Sequence, residues 1–222
     1  MINVKNLHYA YAASEPVFSD LSFQINSGEA WGILGRNGSG KSTLMDLLLG
    51  IRRPEKGSIS INGFDLSSNI EEAGREISYV SQEIGLPNSI RISEFLHFHS
   101  LMYPRYSKEK EAEYLSYFKV NPKKLIGSLS LGQQKKLQFI AAFSSGTKIL
   151  LVDEITAVLD AESRLMFFKV LRDIITRERK TVFLATNIAE DLHQFASHVI
   201  FLDHDTVRIV NPSEIGTLFN AA

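Results

Sequence analysis

The sequence predicts an α/β domain with a mostly parallel sheet, an antiparallel β-subdomain on its N-terminal side and an inserted helical subdomain. Three observations lead there. From Lys148 onward, apolar runs of strand length alternate with amphipathic helical stretches, as in a parallel sheet built from crossover units. Before Gly63, apolar residues alternate with period two and close on an Asn62-Gly63 turn, as in hairpins. Between Ile92 and Phe118 the apolar spacing becomes helical, punctuated by Pro87, Pro104 and Pro122.

The elements follow in order. Met1–Lys5 opens the first strand with no apolar leader ahead of it. Leu21, Phe23 and Ile25 share one strand face, and Trp31-Gly32-Ile33-Leu34 reads as a short buried strand. A helix over Thr43–Leu49 closes at Gly50, with Pro54 beyond it. Ser58–Ile61 and Glu76–Ser81 read as strands. In the insert, Ile92, Phe95, Leu96, Leu101 and Met102, then Ala112, Leu115 and Phe118, mark helices, and Lys108–Glu111 reads as a solvated helix face. A helix around Gln134–Phe143, a strand at Lys148–Val152 and a helix from Ala161 to Thr176 come next. Strands at Thr181–Ala185, His198–Leu202 and Thr206–Val210 complete the chain, which carries no repeat, low-complexity tract or Gly/Ser linker.

Composition narrows the function classes. The 222 residues suffice for one large domain with a real core, and 44% hydrophobic with 22% charged residues is ordinary for a globular protein. A net charge of −1 gives no footing for nucleic acid or an anionic membrane surface, so no nucleic-acid partner is expected. Zero cysteines exclude disulfides and thiolate metal sites. The longest apolar runs, such as Ile149–Val152, fall short of a membrane span. A cytoplasmic chain is expected, with any membrane role reached through a partner.

Gly35-Arg36-Asn37-Gly38-Ser39-Gly40-Lys41-Ser42 is a complete G-x-x-x-x-G-K-[ST] loop, with a strand before it and a helix after it. Glycines let consecutive N–H groups converge on phosphate oxygens, and the helix N-terminus adds partial positive charge. Lys41 can then reach the β/γ-phosphates, the Ser42 hydroxyl can ligate Mg²⁺, and Thr43 completes the phosphate-binding set. The pattern predicts a nucleoside triphosphate. Further on, Lys148–Val152 ends in Asp153-Glu154, at the carboxyl end of a parallel strand where such sites lie. Asp153 is suited to hold Mg²⁺, and Glu154 to orient and deprotonate the attacking water. Leu129-Ser130-Leu131-Gly132-Gln133 precedes a helix, with Ser130 as its N-cap and a second anion-binding helix end behind it.

Together these motifs resemble the ATP-binding cassette (ABC) ATPase family, with a P-loop NTPase core. Gly35–Ser42 is similar to its Walker A loop, Ile149–Glu154 to Walker B, and Leu129–Gln133 to the ABC signature. Gln82 resembles the Q-loop glutamine, Asp160 the D-loop aspartate, and Tyr11 the aromatic under the adenine ring, with Tyr9 as the alternative. The resemblance implies one ABC ATPase domain. Residues 1–82 and 133–222 would form a RecA-like core with antiparallel β elements, and about 83–132 a helical subdomain ending in the signature. It implies a head-to-tail pair with a second ATP-binding subunit, sandwiching two ATP. Ser130, Gly132 and Gln133 would face the ATP held by the partner's Lys41. Gln82 would touch Mg²⁺ or the attacking water and couple to a transmembrane permease subunit docked near the insert.

Three departures stand out. Leu131 replaces the commonest signature glycine, and Ile155 the proline after the catalytic glutamate. Asn187 stands where the family places a switch histidine that contacts the γ-phosphate. Asparagine donates one hydrogen bond and carries no charge, so slow turnover is expected. The implied function is the ATP-hydrolysing subunit of a membrane transporter at the cytoplasmic face, similar to ABC-2-type exporters. A soluble ABC ATPase or a regulatory nucleotide switch is the alternative.

Overall fold

A computed structural model describes residues 1–12, 15–81, 83, 85–154, 159–193, 195–203 and 206–218. The chain runs β1 (Ile2–Ala10), β2 (Pro16–Ile25), β3 (Ala30–Gly35), α1 (Lys41–Leu48), β4 (Lys56–Ile61), β5 (Phe64–Asp65), α2 (Ile70–Gly74) and β6 (Ile77–Val80). It continues with α3 (Ile92–Met102), α4 (Lys108–Tyr117), α5 (Leu131–Ser144), β7 (Ile149–Asp153) and α6 (Ala161–Thr176). It ends with β8 (Thr181–Thr186), α7 (Ala189–His193), β9 (His198–Asp203), β10 (Thr206–Val210) and α8 (Ile215–Leu218).

Two sheets form, as the patterning predicts. One is antiparallel in the order β2-β1-β4-β5; the other has six strands in the order β10-β9-β3-β8-β7-β6. In the larger sheet β9, β3, β8, β7 and β6 are parallel, and β10 closes an antiparallel hairpin on β9. Every residue of β3, β7 and β8 is buried. Continuous burial is the mark of strands covered on both faces.

Alternation along these strands divides the core in two. Trp31, Ile33, Leu151, Phe183 and Ile200 pack with α1 and the antiparallel sheet. Leu34, Leu150, Val152, Val182 and Leu184 pack with α5, α6 and the inserted helices. Across the second layer Phe139 meets Phe167 at 4.5 Å and Phe143 at 6.0 Å. Burying each such ring contributes about 1.5–3 kcal/mol. The insert shares this core through Ile92, Leu96, Tyr114 and Phe118.

The helices expected in the insert form as α3 and α4. In α3 only Ile92 and Leu96 are buried, whereas Phe98, Leu101 and Met102 are 61%, 70% and 72% exposed. One expectation needs correction: the run Lys108–Glu111 is only half solvated, since Lys110 pairs with Glu178 at 2.6 Å and Glu111 accepts from the Tyr106 hydroxyl at 2.6 Å. Among the described residues no helix is long and apolar enough to cross a membrane.

Candidate functional site: a phosphate-binding cleft

The sheet order brings the predicted motifs to one edge. β8 lies between β3 and β7, so the loop after Gly35, the acids ending β7 and Asn187 beyond β8 leave the sheet side by side. Gly35 is held there by close packing, since a Cβ would overlap Ser39 Oγ and lie 2.6 Å from the Leu202 carbonyl oxygen. Gly38 and Gly40 turn the loop with φ of 84° and 100°, which other residues rarely adopt. The Ser39 N–H donates to the Arg36 carbonyl at 3.2 Å, and the Leu44 N–H donates to Gly40 at 2.9 Å to begin α1. No side chain caps α1, and its first turn carries no acid. Its leading N–H groups and the helix dipole therefore remain for an anion.

Lys41 is 3% exposed and folded back over the loop. Its Nζ donates to the Gly35 carbonyl at 2.9 Å and the Arg36 carbonyl at 3.0 Å, and pairs with Glu154 Oε1 at 2.7 Å. Glu154 reaches this position through an unusual backbone. Its N–H still donates to the Ala185 carbonyl at 3.0 Å, but its φ is 41°. A non-glycine residue held there costs on the order of 1–3 kcal/mol, the kind of strain found at working sites.

Asp153 is 3% exposed. Burial, with Glu154 beside it, pushes its carboxyl above the usual range, against opposing contributions from the Ser42 hydroxyl, Lys41 and Tyr79. Its Oδ1 is buried with no hydrogen-bond partner among the described residues, and the Tyr79 hydroxyl stands 3.5 Å from Oδ2. A buried acceptor without a donor, next to a serine hydroxyl, is a donor set that suits a hard divalent cation retaining most of its waters. Ser42 and Asp153 thus fit the predicted metal position.

Tyr11, Asn37, Gly38, Gly40, Lys41, Ser42, Thr43 and Glu154 line a cleft of about 390 Å³. Tyr11 is 42% exposed, and its hydroxyl hydrogen-bonds with Thr43 Oγ1 at 2.7 Å. Tyr9 is 8% exposed and packed in the core. The structure therefore places Tyr11, not Tyr9, at the rim. A larger groove of about 710 Å³ opens nearby between β2 and the β9–β10 hairpin. Among the described residues its lining carries the acids Glu15, Asp20 and Asp203 and no basic side chain, a charge balance unfavourable to phosphate.

Other predicted residues lie apart. The Ser39 hydroxyl is buried against the Gly35 side of the loop and lines that second groove. Ser130 caps α5 as expected: its Oγ accepts from the Gln133 N–H at 3.3 Å, while the Ser130 N–H donates to Gln133 Oε1 at 3.1 Å. Asp160 caps α6, accepting from the Ser163 N–H at 2.7 Å, which lowers its pKa. Of the described residues lining the cleft, none comes from Ser130–Gln133, and Asp160 and the exposed Asn187 are also not among them. Gln82 and Ile155 lie outside the described residues.

Two side chains near the site escaped sequence reading. Lys135 is 1% exposed in α5, where its Nζ donates to the Ser81 carbonyl and, at 3.2 Å, to Gln138 Oε1. Burial lowers its pKa to about 8. The available signal was its helical spacing with Phe139 and Phe143, which puts a cation on the apolar face. Arg52 braces Tyr11, and nothing in its sequence setting marks it.

A family model described as ABC transporter matches residues 18–157. The chain is 29% identical over 218 residues to the high-affinity zinc uptake system ATP-binding protein of Bacillus subtilis, covering 91% of each. It is 31% identical over 196 residues to the Nod factor export ATP-binding protein I of Burkholderia thailandensis, covering 84% of this chain and 63% of that one. A solved structure of the ATP-binding subunit of an ABC transporter shares the fold, with a TM-score of 0.88 at 23% identity over 99% of this chain and 93% of that one.

Proposed function

Because the chain belongs to the ABC transporter family, we propose that it is the ATP-hydrolysing subunit of a membrane transporter that completes each ATP site with the signature of a second subunit. The observation that carries this reading is a division of labour. The cleft holds the phosphate loop, Lys41, Glu154 and Tyr11, while the capped signature helix lies outside it.

Loop N–H groups and the α1 dipole take the phosphates, and Lys41 exchanges its Glu154 partner for the β/γ-phosphate oxygens. That exchange releases Glu154 to take a proton from the attacking water. Ser42 and Asp153, with Gln82, would hold Mg²⁺, which neutralises developing charge on the phosphates. Asn187 donates an amide hydrogen bond toward the γ-phosphate. Across a two-fold pair, Ser130, Gly132 and Gln133 of one copy close the site of the other, so ATP becomes part of the interface.

The translocation path then belongs to a permease subunit. The exposed Phe98, Leu101 and Met102 lie at i, i+3 and i+4 on α3 and form an apolar face suited to dock it, holding the chain at the cytoplasmic surface of the membrane. The curated relatives named above are transporter subunits, and no observation favours the soluble alternative.

Sedimentation of the Glu154→Gln variant tests the composite site. Its mass is expected to double with Mg-ATP and revert with ADP, and a second change, Ser130→Arg, should hold it monomeric. A Glu154→Gln chain that stays monomeric at saturating ATP would sink the reading.

A further inference from the structure

Arg52 takes no part in the phosphate chemistry above, yet it is held from several sides at the edge of the cleft. Its Nε donates to Asp46 Oδ2 at 2.8 Å, and its Nη1 donates to the Tyr9 hydroxyl at 3.2 Å. The backbone is tied as well, since the Ile51 and Arg52 N–H groups both donate to the Asp46 carbonyl, at 2.9 and 3.2 Å. Held in this way, the guanidinium lies over the Tyr11 ring with Cζ 4.9 Å from the centroid. Two further contacts fix that ring: Thr43 Oγ1 at its hydroxyl, and Tyr9 edge-on at 5.2 Å and 83°.

Without these contacts Tyr11 would be poorly held. It follows the last residue of β1 and is 42% exposed, so a flat ligand stacking on it would have to immobilise the ring first. Apart from Tyr9 on β1, the braces lead back to one element. Asp46 and Thr43 sit on α1, whose N-terminus forms the phosphate cradle. Ring and cradle are thus built on the same helix, Arg52 linking its far end to Tyr11.

We propose that Arg52 is a positioning residue that sets the Tyr11 ring as the platform for the nucleotide base, so that it governs affinity for the nucleoside and not for the phosphates. The proposal rests on the reading of Tyr11 as the base-stacking residue. A guanidinium over one face also favours stacking of an electron-rich purine, but the larger effect is that the ring no longer loses freedom on binding.

Titration calorimetry of the whole chain with ADP and with inorganic pyrophosphate separates base from phosphate. Arg52→Ala should weaken ADP about three- to tenfold and leave pyrophosphate within about twofold, with Arg52→Lys between the two. In a Tyr11→Ala background the same change should add nothing to the ADP loss. Equal weakening of both ligands would place Arg52 in the support of α1 and overturn the proposal, as would unchanged ADP affinity or a full additional loss in the Tyr11→Ala background. If Tyr11→Ala itself leaves ADP affinity intact, the base-stacking reading of Tyr11 falls, and the proposal with it.

Discussion

Glu154 illustrates how much of this site is decided residue by residue. Its backbone keeps the ladder bond to Ala185 while its φ of 41° turns the carboxylate onto Lys41. The acid and the lysine therefore restrain each other. Asn187 is the opposite case, an exposed amide at the end of β8 with no charge to offer a γ-phosphate. Replacing a neutral donor with a charge-assisted one in a dry phosphate site is worth a few kcal/mol, so Asn187→His should raise kcat at least about tenfold. Phosphate-release assays would refute this by finding an equal or lower rate. The phosphate-loop and acid-pair residues were legible because their spacing encodes their chemistry. Tyr9 against Tyr11 was not, because both have the same parity on β1 and period two cannot say which one lies past the strand end.

Among the elements, the joint before β6 shows how separate segments are locked together. Glu76 is 7% exposed; it receives Arg105 at 2.8 Å and the Asn62 amide at 2.8 Å, with Lys148 at 3.6 Å. It thereby ties the β4–β5 turn, the α3–α4 loop and the start of β7 to one carboxylate. Burial pushes that carboxyl up, but Arg105, Asn62 and Lys148 together outweigh it and leave it below 4.5. A depressed carboxylate contributes its stability above the unfolded value of 4.5 and loses it as pH falls through the folded value. Glu76→Gln should therefore lose about 1 kcal/mol near neutral pH in urea unfolding, and the difference should shrink as acid protonates the wild type. A deficit that stays constant below pH 4 would contradict this account. None of these partners is near Glu76 in sequence, so only the strand itself could be foreseen. The same holds for α3: helical spacing predicted the helix, but not that Phe98, Leu101 and Met102 would form an outward stripe.

For the whole molecule, the division into a parallel core, an antiparallel subdomain and a helical insert was readable from changes of period along the chain. Strand order was not, because placing β8 between β3 and β7 depends on pairings far apart in sequence. That order is what assembles the site. It sets the phosphate loop, Asp153-Glu154 and Asn187 along one edge, while no described residue of Ser130–Gln133 lines the cleft. The central claim is that this edge hydrolyses ATP with Glu154 as the base. Steady-state phosphate release from Mg-ATP, paired with ATP-binding titrations, tests it most directly. Turnover by the wild type, at least about a hundredfold loss in Glu154→Gln and undiminished ATP binding by that variant is the predicted result. Equal turnover in the two proteins, or failure of the wild type to bind ATP, would contradict it.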